Sequence, residues 1–174
     1  MIKLITFLLQ AMAVNCILDC KNTNYCGILT LESGFGLGPY KHQGPIVHGL
    51  WNDIPPYGTS KALSNCSETI ELPEVPCYTD KQFQAHEWKK HGIYATVDCD
   101  PLNFFNQVCI LSSAPLRIMN NSSTFEQMQL NIRNKFPNNI FNINAENKQI
   151  ELMVCADDKG TWKLTTTKTL EQGC

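Results

Sequence analysis

An α+β fold is predicted by three features of the chain. Short β-like runs gather towards the two ends of the sequence, helix-starting signals with apolar residues at three- and four-residue spacing occupy the middle, and nine cysteines are available to staple the result. At 174 residues the chain suits one well-cored domain and is short for two. No internal repeat, low-complexity tract or charge block divides it.

The elements can be taken in order. Residues 1–13 read as a signal peptide: Lys3 precedes an apolar run from Leu4 to Val14, interrupted by Thr6 and Gln10, and Ala11-Met12-Ala13 offers small residues for cleavage. The mature domain is then expected over 14–174. Cys26 to Leu31 reads as a strand ending at the glycine-rich turn Gly34–Pro39, and Pro45 to Leu50 as a second strand before Pro55-Pro56. Lys81 to about His91 lacks Gly and Pro and reads as a helix. Asp100-Pro101 is an N-cap followed by proline at the first helical position, with Leu102, Phe105, Val108 and Cys109 on one face. Ser123 to Glu126 has the form of a capping box, opening a helix whose Phe125, Met128, Ile132 and Phe136 form a core stripe. Ile150, Leu152 and Val154 alternate as in a half-buried strand. Asp157–Gly160 is a turn, and Trp162 to Thr165 is a returning strand.

Composition narrows the setting and the partners. An apolar run as short as the N-terminal one cannot span a bilayer, which takes about 20 residues, and no later stretch offers a membrane anchor. Nine cysteines point to an oxidising compartment. No Cys-x-x-Cys pair suggests a zinc module, so disulfides are the expected use. The odd count leaves one thiol over: a monomer is expected, with a covalent dimer through that thiol left open. Asn65, Asn120 and Asn121 each head a glycosylation sequon. The formal charge of −2, or −3 once Lys3 leaves with the signal, excludes a global basic field, so nucleic-acid binding would need a local patch. Lys90 is the candidate cation for one; Lys41, Lys81 and Lys89 read as ordinary solvated surface.

The chemistry concentrates in two segments. His86-Glu87-Trp88-Lys89-Lys90-His91-Gly92 and His48-Gly49-Leu50-Trp51 hold three of the chain's four histidines, and only His42 lies outside them, without comparable company. On a helix His86 and Lys90 would lie about 40° apart, as would Glu87 and His91, leaving Trp88 for the core. Imidazole, carboxyl and ammonium groups so placed can surround an anionic centre, with His48 opposing them from another element as one member of an acid–base pair. Two imidazoles flanking a phosphodiester are what RNA cleavage by internal transphosphorylation needs, with no cofactor or metal. A zinc hydrolase is disfavoured because His86 and His91 are five apart, about 140° around a helix, where His-Glu-x-x-His places its ligands on one face.

These two segments closely resemble the active-site signatures of the ribonuclease T2 family, secreted, vacuolar and periplasmic endoribonucleases. The stretch from Ile150 to Cys155, the following Ala-Asp-Asp-Lys-Gly and the terminal cysteine are similar to that family's C-terminal hairpin, so the resemblance touches both halves of the chain. It implies a central antiparallel sheet flanked by helices and stapled by disulfides, including Cys155–Cys174. It also implies roles: His48 as general acid, His91 as general base, His86 on the phosphate, and Glu87 with Lys90 stabilising the transition state. Trp51 would stack on a base, Asp53 would read it and Phe83 would line the same pocket. The assignment of acid and base comes from the family and not from the spacing.

The chain departs from the family pattern at Asn52, where proline is usual, and at Ile93 and Tyr94, where threonine and cysteine are usual. The missing cysteine leaves Cys66 or Cys77 to pair with Cys99. The expectation is a secreted or acidic-lumen (endolysosomal or vacuolar) endoribonuclease acting on single-stranded RNA. The rival is a secreted binding or effector protein on the same scaffold.

Overall fold

A computed structural model describes residues 20, 23, 25–52, 63–64, 66–68 and 71–174. The segment 1–13, Cys16, Asp53 and Asn65 lie outside the described residues. The architecture is α+β: an antiparallel sheet with helices packed on its faces, tied by four disulfides. The order of elements is β1 (Tyr25–Glu32), β2 (Ile46–Trp51), α1 (Lys81–Lys90), α2 (Pro101–Asn120), α3 (Phe125–Lys135), β3 (Phe141–Asn144), β4 (Gln149–Ala156), β5 (Trp162–Leu164) and α4 (Thr167–Gln172).

The sheet runs β2-β1-β4-β3, with β5 paired to the later half of the same β4 edge that β3 uses earlier. The strand read as half-buried is therefore central, and all eight of its residues are buried. The alternation itself is correct. Ile150, Leu152 and Val154 enter the main core with Leu29 and Leu31, beneath residues of α1, α2 and α3. The opposite face is not solvated: Met153 and Cys155 pack with Cys26, Ile28 and Leu170 of α4 in a second cluster. Burial of both faces explains why β4 is apolar throughout its later half, from Leu152 to Ala156.

The helices start where their caps dictate. Asp80 accepts from the amides of Gln82 and Phe83 and opens α1; Asp100 accepts from Leu102 and opens α2 with Pro101 in its first turn. Leu102 is a correction, since it is 46 % exposed and Phe104 takes the core position beside Phe105 and Val108. The third helix is capped one residue later than its capping-box signal suggests. The Thr124 hydroxyl accepts from the Gln127 amide, and the Gln127 side chain accepts from Ser123 N–H. Its stripe is as expected, with Phe125, Met128 and Ile132 buried and Phe136 packed at the margin.

Aromatic packing links these helices to the sheet. Trp88 of α1 lies 5.9 Å from Phe104 and 6.2 Å from Phe105, ring centre to ring centre, and Phe105 meets Tyr78 edge-on at 5.1 Å. Trp162 donates its indole N–H to the Ala95 carbonyl, fixing the turn after α1 against β5. Disulfides reinforce the same contacts. Cys77–Cys109 ties the approach to α1 to the middle of α2, and Cys66–Cys99 ties Cys66 to the residue before the Asp100 cap of α2. Cys20–Cys26 and Cys155–Cys174 close the two ends onto the sheet. Of the two partners left open for Cys99, the fold uses Cys66.

Because Cys66–Cys99 spans 33 residues, replacing both cysteines with serine should lower the unfolding free energy by about 2–4 kcal/mol. Denaturant midpoints of the variant and the parent would measure this. An unchanged midpoint would mean that the bridge constrains neither state.

Candidate active site

His48 owes its position to an irregularity in β2. Pairing with β1 passes from Thr30 opposite Gly49 to Leu31 opposite Val47, so His48 is the extra residue of a β-bulge. The bulge lets Val47 and Leu50, three positions apart, both enter the main core. Tyr78 holds the kink by donating its hydroxyl to the His48 carbonyl at 2.9 Å.

On the facing helix, α1 turns Glu87 and Trp88 inward while His86 and Lys90 are exposed and His91, its C-cap, is half-buried. Glu87 is 1 % exposed and directly beneath Gly49. A Cβ at position 49 would stand 1.8 Å from Glu87 Oε2, so the glycine of His-Gly-Leu-Trp is the space the carboxyl occupies. Trp51 donates its indole N–H to Glu87 Oε2 at 3.2 Å, and His48 Nε2 is 3.6 Å from Glu87 Oε1. The Trp51 ring meets His48 edge-on at 5.3 Å and lies tilted against His91, also at 5.3 Å. One indole therefore touches both imidazoles and the carboxyl.

Burial governs the protonation of this group. It pushes the Glu87 carboxyl up to about 7, against the opposing charge of His48 and the hydrogen bond from Trp51. Burial also takes His91 down to about 4, helped by the positive charges of His48, His86 and Lys90. The two shifts point to a neutral carboxyl and a neutral imidazole at mildly acidic pH. Glu87 Oε1 and His91 Nδ1 are buried without hydrogen-bond partners among the described residues.

An open cleft of about 580 Å³ adjoins His48 on the side of Phe83 and His86. Phe83 contacts His48 edge-on at 5.1 Å, and Tyr40 lies 6.3 Å away in a stacked orientation. The cleft places His48, His86 and Phe83 together, while Trp51, which donates to Glu87, is not among the residues that line it. Asn120 and Asn121 are exposed at the end of α2, where Asn120 comes near Gly44 and His42. Lys41 and Lys89 are exposed, and Lys81 forms a solvent-exposed ion pair with Glu74, as the surface reading anticipates.

Sequence reasoning misses Glu32, Tyr40 and the company of His42. Glu32, at the end of β1, is 5 % exposed. Its Oε1 lies 2.5 Å from His48 Nδ1 and its Oε2 2.8 Å from His42 Nε2. Burial alone would raise this carboxyl, but the hydrogen bonds and charges of His48 and His42 outweigh it and hold it below the ordinary range. His42 is thus part of the site's framework, and a correction to its reading as isolated. The usable signal was an acidic residue in place of an apolar one at the end of a buried strand.

The unusual residues of the two segments also meet. Asn52 is buried and donates its side-chain amide to the Tyr94 carbonyl, which also accepts from the Leu63 amide. Ile93 is buried in the core.

No protein-family model matches the chain, and no curated protein does. Among solved structures, it is similar to a point mutant of RNase MC1 in complex with 5′-UMP, at 16 % identity over 79 % of this chain and 91 % of that one, with a TM-score of 0.48. It is also similar to an RNase-related protein from Calystegia sepium, at 17 % identity over 80 % of this chain and 89 % of that one, TM-score 0.47. Ribonuclease MC1 from bitter gourd seeds gives 15 % identity over 79 % and 92 %, TM-score 0.46. At these values the chemistry of the site rests on its own geometry.

The raised Glu87 carboxyl has a sign that stability can read. The folded protein retains a proton that the unfolded chain loses near 4.5, so this contribution to stability is present below 4.5 and lost as pH rises through about 7. Glu87→Gln should therefore gain on the parent progressively across that window and hold a constant difference outside it. Urea unfolding at several pH values would show this; a difference independent of pH would remove the buried-carboxyl account.

Proposed function

We propose that the chain is an endoribonuclease of ribonuclease T2 type, cleaving single-stranded RNA by transphosphorylation to a 2′,3′-cyclic phosphate and then hydrolysing it to a 3′-phosphate. The observation that carries the reading is the convergence of His48, His91 and Glu87 on one Trp51 indole. In this reading His91, neutral above about 4, takes the 2′-hydroxyl proton as the 2′-oxygen attacks phosphorus. His48, as imidazolium, protonates the 5′-oxygen as the P–O5′ bond breaks. Water then retraces the path with the two roles exchanged.

The remaining groups answer the charge on phosphorus. Glu87, protonated below about 7, can donate a hydrogen bond to a non-bridging oxygen whose negative charge grows in the transition state. His86, exposed where it lines the cleft, and Lys90, exposed one helical turn further along α1, supply cationic contacts for the phosphate. Phe83 and Trp51 offer aromatic surface for bases, and Asp53, outside the described residues, is the proposed base reader. Proton transfer between two imidazoles completes the reaction with no metal or cofactor. Among the described residues no helix is long and apolar enough to cross a membrane. With four disulfides this suits a protein exported by cleavage after residue 13, acting as a single domain in a secretory or acidic lumen, with Asn120 and Asn121 available for glycosylation.

The test is digestion of a defined single-stranded RNA by the disulfide-bonded protein in excess chelator, with product ends identified by mass spectrometry. Cyclic-phosphate ends are expected, and His48→Ala and His91→Ala should each lower cleavage by about 10²- to 10⁴-fold while remaining folded. Near-parental turnover in either variant would sink the assignment. Activity should fall below about pH 4, where His91 takes up its proton, and above about pH 7, where Glu87 loses its own. A profile flat through both limits would separate these groups from the chemistry.

A further inference from the structure

The geometry points to Glu32 as the positioning residue for His48: clamped from behind by His42, its carboxylate binds Nδ1 and commits Nε2, the nitrogen facing Glu87, to proton transfer. The tautomer follows from hydrogen-bond counting alone. The catalytic consequence rests on the ribonuclease reading.

An ionised carboxylate only accepts hydrogen bonds. With Glu32 Oε1 at 2.5 Å, His48 Nδ1 must carry a hydrogen, so the neutral ring keeps its lone pair at Nε2 and the charged ring presents its second hydrogen there. That nitrogen is the one 3.6 Å from Glu87 Oε1. Gln149 Nε2 approaches Nδ1 at 3.3 Å, but a nitrogen already donating to Glu32 has no lone pair for it. The 2.5 Å contact therefore defines the bond.

His42 completes the clamp by the same counting. Its Nδ1 is 2.8 Å from the Gly44 carbonyl oxygen and its Nε2 is 2.8 Å from Glu32 Oε2. Both partners are oxygen acceptors, so the ring is held at one nitrogen by the Gly44 carbonyl and at the other by the Glu32 carboxylate. With His42 on Oε2, the carboxylate is fixed with Oε1 turned to His48 Nδ1. The three groups come from different places: Glu32 ends β1, His42 lies between the strands, and His48 is the bulged residue of β2. Glu32 is thus rigidly placed before any substrate arrives.

The assignment is tested on the full disulfide-bonded chain, labelled with ¹⁵N-histidine, by long-range ¹⁵N–¹H correlation together with kinetics. Parental His48, when neutral, should show the Nδ1–H tautomer. In Glu32→Gln the new amide can donate to Nδ1, and the tautomer should invert to Nε2–H. RNA cleavage should then lose on the order of 10²-fold in kcat, with KM within about twofold, the mark of a group acting on the transition state and not on binding. Glu32→Asp keeps an acceptor and should retain the parental tautomer with intermediate kcat.

A parental Nε2–H tautomer, an unchanged tautomer in folded Glu32→Gln, or a kcat within about threefold of the parent would overturn the assignment. Should Glu32→Gln not fold, His42→Gln decides: an approximately tenfold loss of kcat with the tautomer retained supports the clamp, and unchanged kcat overturns it. If the parent cleaves no RNA at all, the ribonuclease reading fails and the tautomer measurements alone judge Glu32.

Discussion

Burial of the Glu87 carboxyl is the constraint on which the rest of the site depends. A carboxyl enclosed by protein must be paired or remain protonated, and here the surroundings do part of each. Trp51 donates to one oxygen, His48 approaches the other, and burial holds the proton on until about 7. Every neighbouring choice follows from making room for that group. Position 49 has no side chain because Glu87 fills the space. Trp88, the next residue on α1, fills the core against Phe104 and Phe105 and so prevents the helix from rotating the carboxyl outward.

Two opposed carboxyl groups bracket His48, and their environments differ in kind. Glu87 has one neutral donor and deep burial, and its carboxyl is raised. Glu32 has two imidazole donors, and its carboxyl is lowered despite being buried. The same side-chain chemistry thus sets a raised carboxyl beside one nitrogen of His48 and a lowered one against the other. The disulfides preserve this arrangement indirectly. Cys77–Cys109 anchors the chain just before Tyr78, whose hydroxyl holds the His48 carbonyl, and Cys66–Cys99 closes the segment packed under Ile93 and Tyr94.

Much of the scaffold was legible because local signals and tertiary packing agree. The Asp100-Pro101 start of α2, the Phe125/Met128/Ile132 stripe and the inward turn of Trp88 are written in short-range patterns. Leu102 was misread because both it and Phe104 can flank the stripe of Phe105 and Val108 from opposite sides, and packing against Trp88 and Gly92 selected Phe104. The short strand β3 and the helix α4 carry little apolar periodicity, since each depends on contacts with β4 that lie outside its own sequence. Glu32 and His42 were illegible for a further reason. They are 16 and six residues from His48, on the far side of a turn, and only the antiparallel return of β2 brings the three together. The paired imidazoles stood out as motifs, whereas their supporting carboxylate is one acidic residue in an apolar strand.

The bulge at His48 couples two properties that are usually separable. In a regular strand, side chains two apart share a face, and the length of the strand can change by adding or removing a pair. Here Val47 and Leu50 share the core only because one residue between them is left out of the ladder. Loss of a single residue in β2 would restore the ladder and leave no extra position to carry an imidazole. Gain of one would turn one of the two apolar residues away from the core. The strand's length is therefore quantised by the site: a single-residue insertion or deletion displaces either the imidazole or a core residue, and any drift in the aim of His48 must come from the residues around it.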